Sequence, residues 1–266
     1  FTTKVGVFCL IKLFAGTELL LYFGVFMAVW GVCMALIEND FRRLFAYHII
    51  SQVGYMIASL AIGGEIGIDG ASAHAFNNIL YKGTLLMCAG TVIAATGKRK
   101  ISQLSGLAKK LPITASCFLI ASMAIAGFPL LNGFVSKSLI MNAAAESGFY
   151  WAELLLMIAS VGTLMSVTLK VNYFVFWGKS TEDIEACEKD VPLSRKAAMI
   201  LGALACIITG LFPDLIYSLT PYGTDGHPFT VDHVTQYIQL FAAAAIAFVM
   251  YIDHMKPKEK ITLDTD

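Results

Sequence analysis

Residues 125–140 read IAGFPLLNGFVSKSLI. The stretch is apolar enough for a membrane, yet it breaks its own helix. Gly127 and Pro129 come together, and Gly133 follows about a turn later. Proline removes a backbone donor and clashes with the preceding turn. At membrane depth such a break is tolerated only where protein or a water-filled cavity satisfies the freed backbone groups. Just past the break sits Lys137, and apolar residues resume at Leu139, Ile140 and Met141. A lysine deep in a membrane helix is costly and points to function. Broken helices near the bilayer midplane are where many transporters hold their ions. The competing reading is a plain loop between two helices, with Lys137 snorkelling to the water interface.

Composition sets the class. The 266 residues are 57% hydrophobic and 14% charged, with a mean hydropathy of +0.71. Soluble domains carry about 25% charged residues. An integral membrane protein follows, and a helical one, because the apolar runs are much longer than barrel strands. The net charge is zero, which gives no footprint for nucleic acid. The cysteines at 9, 33, 88, 117, 187 and 206 show no CxxC spacing, and most lie in apolar helices, where a free cysteine is usually a small buried hydrophobe. Neither a metal site nor a cofactor is expected, and no motif of soluble-type catalysis is present. The opening FTTKVGVFCLIKLF reads as a helix already under way, so an upstream part of the protein is expected. The tail KPKEKITLDTD reads as soluble and cut short.

Outward from the break, the apolar pattern predicts spans at 17–38, 44–63, 69–96, 112–128 and 150–177, then at 196–217 and 234–252. The broken helix runs from Pro129 to about Glu146. GGEIGIDG (63–70) is expected to be a turn, residues 97–110 a basic loop, and 178–196 a polar segment. Lysine and arginine divide evenly between the two sides, so the charge bias that orients membrane proteins is absent.

Within 71–90, ASAHAFNNILYKGTLLMCAG, His74, Asn78 and Lys82 fall at i, i+4 and i+8 and stack on one helical face. One polar face on an apolar helix suits a proton pathway, since histidine titrates near neutrality. It suits equally a hydrogen-bonding seam between helices. Arg42 and Arg43 are either a charged link between helices or interface anchors. Lys4 is open in the same way, between a site residue and a helix-end lysine. Lys12 and Lys170 lie near predicted helix ends and are expected to snorkel, outside any pathway. His48 reads as a packing histidine, while His227, His233 and His254 fall in loops or at span ends.

ENDFRRLFAYHIISQVGYM (38–56), HAFNNILYKGTLLMCAG (74–90), GLAKKLP (106–112) and AGFPLLNGFVSKSLI (126–140) carry a resemblance. Together they are similar to the antiporter-like membrane subunits shared by multisubunit Mrp-type cation/proton antiporters and the membrane arm of respiratory complex I. Within that family the chain looks most like the C-terminal half of the D-type Mrp subunit. The resemblance implies an all-α multi-span bundle of inverted five-helix repeats with a broken helix near 127–137. Residues 1–43 would end the first repeat, 44–177 would be the second, 178–252 the C-terminal membrane helices, and 253–266 a soluble tail. It implies a proton route through Lys4, Arg42, His74, Lys82 and Lys137, with Lys4 and Lys137 as central lysines. It implies partners: other membrane subunits of a hetero-oligomeric complex in the cell (inner) membrane, and a glutamate for Lys4 upstream of this chain.

Two departures stand out. Asn78 occupies a position where relatives often carry a second histidine, and the helix at 17–38 offers Trp30 and Cys33 where many carry a lysine or histidine. Three functions compete: a proton-translocating antiporter subunit, a proton-pumping subunit of an NADH:quinone oxidoreductase or hydrogenase-type complex, and a non-conducting structural subunit. The deep charges Lys82 and Lys137 repel a metal cation. Residues 44–177 are therefore expected to move protons, with any sodium site elsewhere in the complex.

Overall fold

The computed structural model describes residues 2–178, 191–224 and 228–257. The acidic segment with Glu182, Asp183, Glu185, Glu188 and Asp190, together with Lys179, Cys187, Lys189, His227 and most of the tail, lies outside them. In chain order the helices are α1 (Thr2–Phe14), α2 (Glu18–Ile37), α3 (Phe41–Ile62), α4 (Gly64–Thr96), α5 (Pro112–Ala126) and α6 (Asn132–Glu146). They continue with α7 (Tyr150–Trp177), α8 (Leu193–Leu211), α9 (Asp214–Tyr217), α10 (Val231–Met250) and α11 (Ile252–Met255). Among the described residues, six are long and apolar enough to cross a membrane: α2, α3, α4, α7, α8 and α10. The chain is an all-α, multi-span membrane protein.

Local chemistry sets the helix ends. Asp40 caps α3 by accepting from the backbone N–H groups of Arg42 and Arg43. Pro112 sits in the first turn of α5, where its missing N–H costs nothing. Gly127 closes α5 with φ +90°. The expected turn over 63–70 is corrected. Gly63 alone separates α3 from α4, and Gly63 and Gly64, at φ +74° and +65°, make the whole reversal. Two residues free to adopt positive φ are enough, so Ile66 to Gly70 are already helix. The expected long helix at 150–177 is present, but it changes winding. It is α-helical to Thr163 and takes the wider π form from Leu164 to Trp177.

Glycine brings the helices together. A Cβ on Gly24 would lie 2.4 Å from the backbone nitrogen of Ala58, and one on Gly54 would lie 2.5 Å from that of Ala28. Helices α2 and α3 thus meet backbone to backbone, the small-residue packing typical of membranes. Helix α4 is the ruler for the broken helix. Its N-terminal half lies on α6, with Gly70 beside Ile140 and Asn77 bonded to Asn132. Its C-terminal half shares a core with α5, through Tyr81, Leu85, Cys88, Phe118 and Ala121. Helices α5 and α6 therefore stack along one continuous neighbour, separated by residues 127–131. The plain-loop reading falls, because Lys137 is 0% exposed. From outside, Tyr237 and Phe241 of α10 pack on Phe134 and Phe128 at the break.

Gly54→Ala places a methyl against backbone that has no rotamer to yield, and overpacking of this kind costs about 1–3 kcal/mol. Gly90 has nothing within 4 Å of such a methyl. Thermal unfolding in detergent is expected to show Gly54→Ala melting clearly below wild type and Gly90→Ala melting with it. Equal melting of the two variants would show that the α2–α3 crossing is loose.

Candidate functional site

The break creates an acceptor site, and Lys137 fills it. The carbonyls of the last turn of a helix have no intrahelical donor. For Ile125 the donor four residues on would be Pro129, which has no N–H. Lys137 reaches back from the second turn of α6. Its Nζ donates to Ile125 O at 2.9 Å, to Ala126 O at 3.1 Å and to Ser160 Oγ at 2.9 Å. The partial negative charge of a helix C-terminus favours a cation there. The Tyr55 ring adds a π face, its centroid 4.8 Å from Nζ. Tyr55 is fixed in turn by its hydroxyl, which donates to Leu156 O at 2.6 Å and lies 3.1 Å from Ser160 Oγ. Gly127 leaves room for the lysine stem, since a Cβ there would stand 3.0 Å from Lys137 Cδ. Gly133 is required outright, since a Cβ there would stand 1.8 Å from Ala124 O. Neutral dipoles thus hold a buried cation.

Beside it runs a hydrogen-bonded string on α4. Asn78 Nδ2 donates to the Tyr81 hydroxyl at 3.0 Å, and that hydroxyl donates to Gln52 Oε1 at 3.2 Å. The Gln52 oxygen can only accept, so His74 Nε2, 3.2 Å away, donates to it. His74 Nδ1 then accepts from Ser136 Oγ at 2.9 Å. Ser136 precedes Lys137, and the His74 and Tyr55 rings lie 5.7 Å apart, so the string abuts the lysine site. At its other end Lys82, 5% exposed, donates to Phe45 O at 3.3 Å and lies 5.2 Å from that ring. Lys4, half-buried, has its Nζ 3.7 Å from Met56 Sδ. Lys4, Lys82 and Asn78 line one cleft of about 210 Å³ between α1, α3 and α4.

The expected residues Lys4, His74, Lys82 and Lys137 are therefore brought together, with Asn78 among them. Arg42 is not; it is exposed in the first turn of α3. Lys12 lies exposed above the Phe8 ring, in keeping with snorkelling. Lys170 does not snorkel. It is 1% exposed and donates to Leu36 O and Glu38 O, both at 2.7 Å. Its helix runs on past it to Trp177, and the end of α2 covers it. The cysteines divide: Cys88, Cys117 and Cys206 are buried as expected, whereas Cys9 and Cys33 are exposed. Trp30 is 41% exposed. Gln52, Tyr55, Tyr81, Ser136 and Ser160 were not expected. For Gln52 a signal existed, an amide side chain four residues from His48 in an apolar helix. Tyrosine and serine in membrane helices give none.

Lys137→Met keeps the apolar stem and removes the donor, leaving two buried carbonyls without it. An unmatched buried polar group costs about 1–3 kcal/mol. The variant is expected to melt well below wild type in detergent, while exposed Lys12→Met is neutral. An unchanged melting point for Lys137→Met would show that the α5 carbonyls do not depend on the ammonium.

Comparison with known proteins agrees with this architecture. The family model described as NADH:quinone oxidoreductase/Mrp antiporter, transmembrane, matches residues 2–166. The L subunit of the F420H2 dehydrogenase of Methanosarcina mazei is 32% identical over 215 residues, 75% of this chain and 32% of that protein. A Staphylococcus aureus protein provisionally named antiporter subunit mnhD2 is 29% identical over 232 residues, 84% of this chain and 46% of that one. The chain spans less than half the length of such curated relatives. In the solved Mrp complex from Dietzia sp., one chain superposes with a TM-score of 0.71 at 22% identity, over 96% of this chain and 53% of its own length. The match across residues 2–166 places this chain in the NADH:quinone oxidoreductase/Mrp antiporter transmembrane family.

Proposed function

We propose that the protein is a proton-translocating, antiporter-like subunit of a multisubunit complex in the cell membrane, similar to the D-type subunit of Mrp antiporters. Residues 44–177 form the working repeat in this reading, residues 1–43 belong to the repeat before it, and 178–252 are peripheral membrane helices. Protons move among Lys4, Lys82, His74 and Lys137 through the hydrogen-bonded string and bound water. Arg42 stands at the surface end. The observation that carries the reading is Lys137 buried in the helix break, held by dipoles and, among the described residues, by no carboxylate. A cation held in this way is free to lose its proton without leaving a bare buried anion behind. Protons are favoured over sodium for a related reason. Hard cations need several oxygen ligands, and the Ile125 and Ala126 carbonyls freed by the break are taken by Lys137.

The driving reaction has two candidates. The family description covers both quinone oxidoreductases and antiporters, and the likeness to a subunit of an F420H2 dehydrogenase favours a redox-driven pump as the second reading. Asn78, standing where relatives often carry a second histidine, speaks less for a non-conducting structural subunit than the departure alone would, because it keeps the string continuous by bonding to Tyr81.

The test is proton flux by the whole complex in sealed vesicles, with sodium flux read separately. Arginine offers donors to the same carbonyls but does not release its proton. Lys137→Arg is therefore expected to lower proton flux about tenfold or more. His74→Ala and Lys82→Ala are expected to slow it, and Lys12→Ala to leave it unchanged. Wild-type proton flux in Lys137→Arg would sink the proposal. Sodium flux whose sodium dependence shifts on substitution of Asn132 or Ser136 would place the metal ion in this site instead.

A further inference from the structure

A second set of buried groups stands apart from the His74 string. His48 on α3 is fully buried, with Nε2 3.0 Å from Ser166 Oγ on α7. Ser166 has one hydroxyl proton, and it goes to Gly162 O at 2.7 Å. The serine oxygen therefore accepts from His48, and Nε2 carries the hydrogen. Nδ1 is left as a bare lone pair, buried and without a partner. One turn along α7, Lys170 reaches the carbonyls of Leu36 and Glu38 at the end of α2. The Glu38 side chain is itself buried, 6% exposed.

The packing of α3 on α7 joins this set to the helix break. His48 meets Ser166 at one level and Tyr55 meets Ser160 at another, so the two helices run in opposite directions along one seam. Ser160 is the hydroxyl partner of Lys137. Seven residues of helix separate Tyr55 from His48, a rise of about 10 Å. Gln52 lies between them, and its Nε2 is likewise buried and unpartnered. Buried polar groups are nearly always satisfied. One turn apart on α3, an orphan donor and an orphan lone pair mark places where bound water completes the bonding.

We propose that His48 is the junction through which protons pass between Lys137 and the α2–α3 corner, with Lys170 the last basic group before Glu38 at that face. This rests on Lys137 being a proton carrier. A proton leaving the Lys137 ammonium yields a neutral amine. His48 takes it at Nδ1 and becomes an imidazolium. The Lys170 ammonium first releases its proton to water at the corner; the neutral amine then takes the proton of the imidazolium, and His48 is neutral again. Each step moves one proton and needs no other reactant. Without this branch the His74 string leaves Lys137 connected only toward the cleft of Lys4 and Lys82. With it, the buried lysine has two ends.

The competing role for Lys170 is to cap the α2 carbonyls and nothing more, and arginine separates the two. The whole complex is assayed for proton flux in sealed vesicles, alongside its amount and melting point. The variants are His48→Leu, Ser166→Ala, Lys170→Met and Lys170→Arg, with Lys137→Arg in parallel. His48→Leu and Lys170→Met are expected to lower flux about tenfold in assembled complex, and Lys170→Arg to be equally low because arginine keeps its proton. Ser166→Ala is expected to slow flux. Full flux in Lys170→Arg reduces the lysine to a cap and overturns the branch, as does full flux in His48→Leu. Where His48→Leu or Lys170→Met fails to assemble, Ser166→Ala and Lys170→Arg decide: full flux in both overturns the branch, loss in both supports it. Lys137→Arg at full flux removes the reading on which the branch stands. Lys137→Arg inactive beside fully active His48 and Lys170 variants removes the branch alone.

Discussion

The contact between the Lys137 ammonium and the end of α5 is the constraint on which the rest of the structure depends. A cation in the membrane interior is tolerated only when something replaces its water. Here the replacement is two carbonyls and a hydroxyl. The carbonyls are available because Pro129 and Gly127 stop the helix, and the lysine is close enough because Gly133 lets α6 start against Ala124. Remove the break and the carbonyls close on their own helix. Remove the lysine and the break leaves acceptors bare. Each feature is costly alone, and together they offset each other.

This arrangement constrains the neighbours. Helix α4 must be long, 33 residues, because it backs both halves of the broken helix. Helix α3 must lie close, because Tyr55 covers the ammonium and Gln52 joins the string. It lies backbone to backbone on α2, because Gly54 of α3 and Gly24 and Gly31 of α2 put no side chain between them. Helix α7 must present Ser160 to the break and Lys170 to the end of α2, and it widens to π winding in the second of these stretches. π windings inside helices often accompany functional sites. Here the widened stretch carries Ser166 and Lys170.

The break was legible in the sequence because glycine and proline speak through local backbone chemistry. The α4 face was legible because His74, Asn78 and Lys82 share a helical period. What was hidden depended on which way a helix faces. Lys170 looked like an end residue, yet its surroundings are set by the end of α2, 134 residues away in sequence at Leu36. Tyr55, Tyr81 and Ser160 are common in membrane helices for packing, and only their partners reveal a polar role. The 63–70 stretch misled for a simpler reason. Most of its residues are glycine or acidic, which suggests a turn, but the reversal needed only Gly63 and Gly64. Asp69 has a different task within the helix: its carboxylate accepts from the backbone of Tyr222 and Thr224 and pins the loop after α9.

The same geometry bears on how such a site could be driven. Lysines solvated by dipoles, with no matched carboxylate among the described residues, remain sensitive to any charge that approaches. At an effective dielectric of about 20, two unit charges about 10 Å apart repel by about 1.7 kcal/mol. Charging one site therefore changes the odds of charging the next by more than about tenfold. A tight ion pair would blunt that response, because a local partner would outweigh a distant one. Among the described residues the fold places its buried basic groups near one another and most carboxylates toward the helix ends, with Glu38 at the corner beside Lys170. A change of charge at one end would then be felt electrostatically along the row. That is the property a membrane subunit needs if its power comes from elsewhere in a complex.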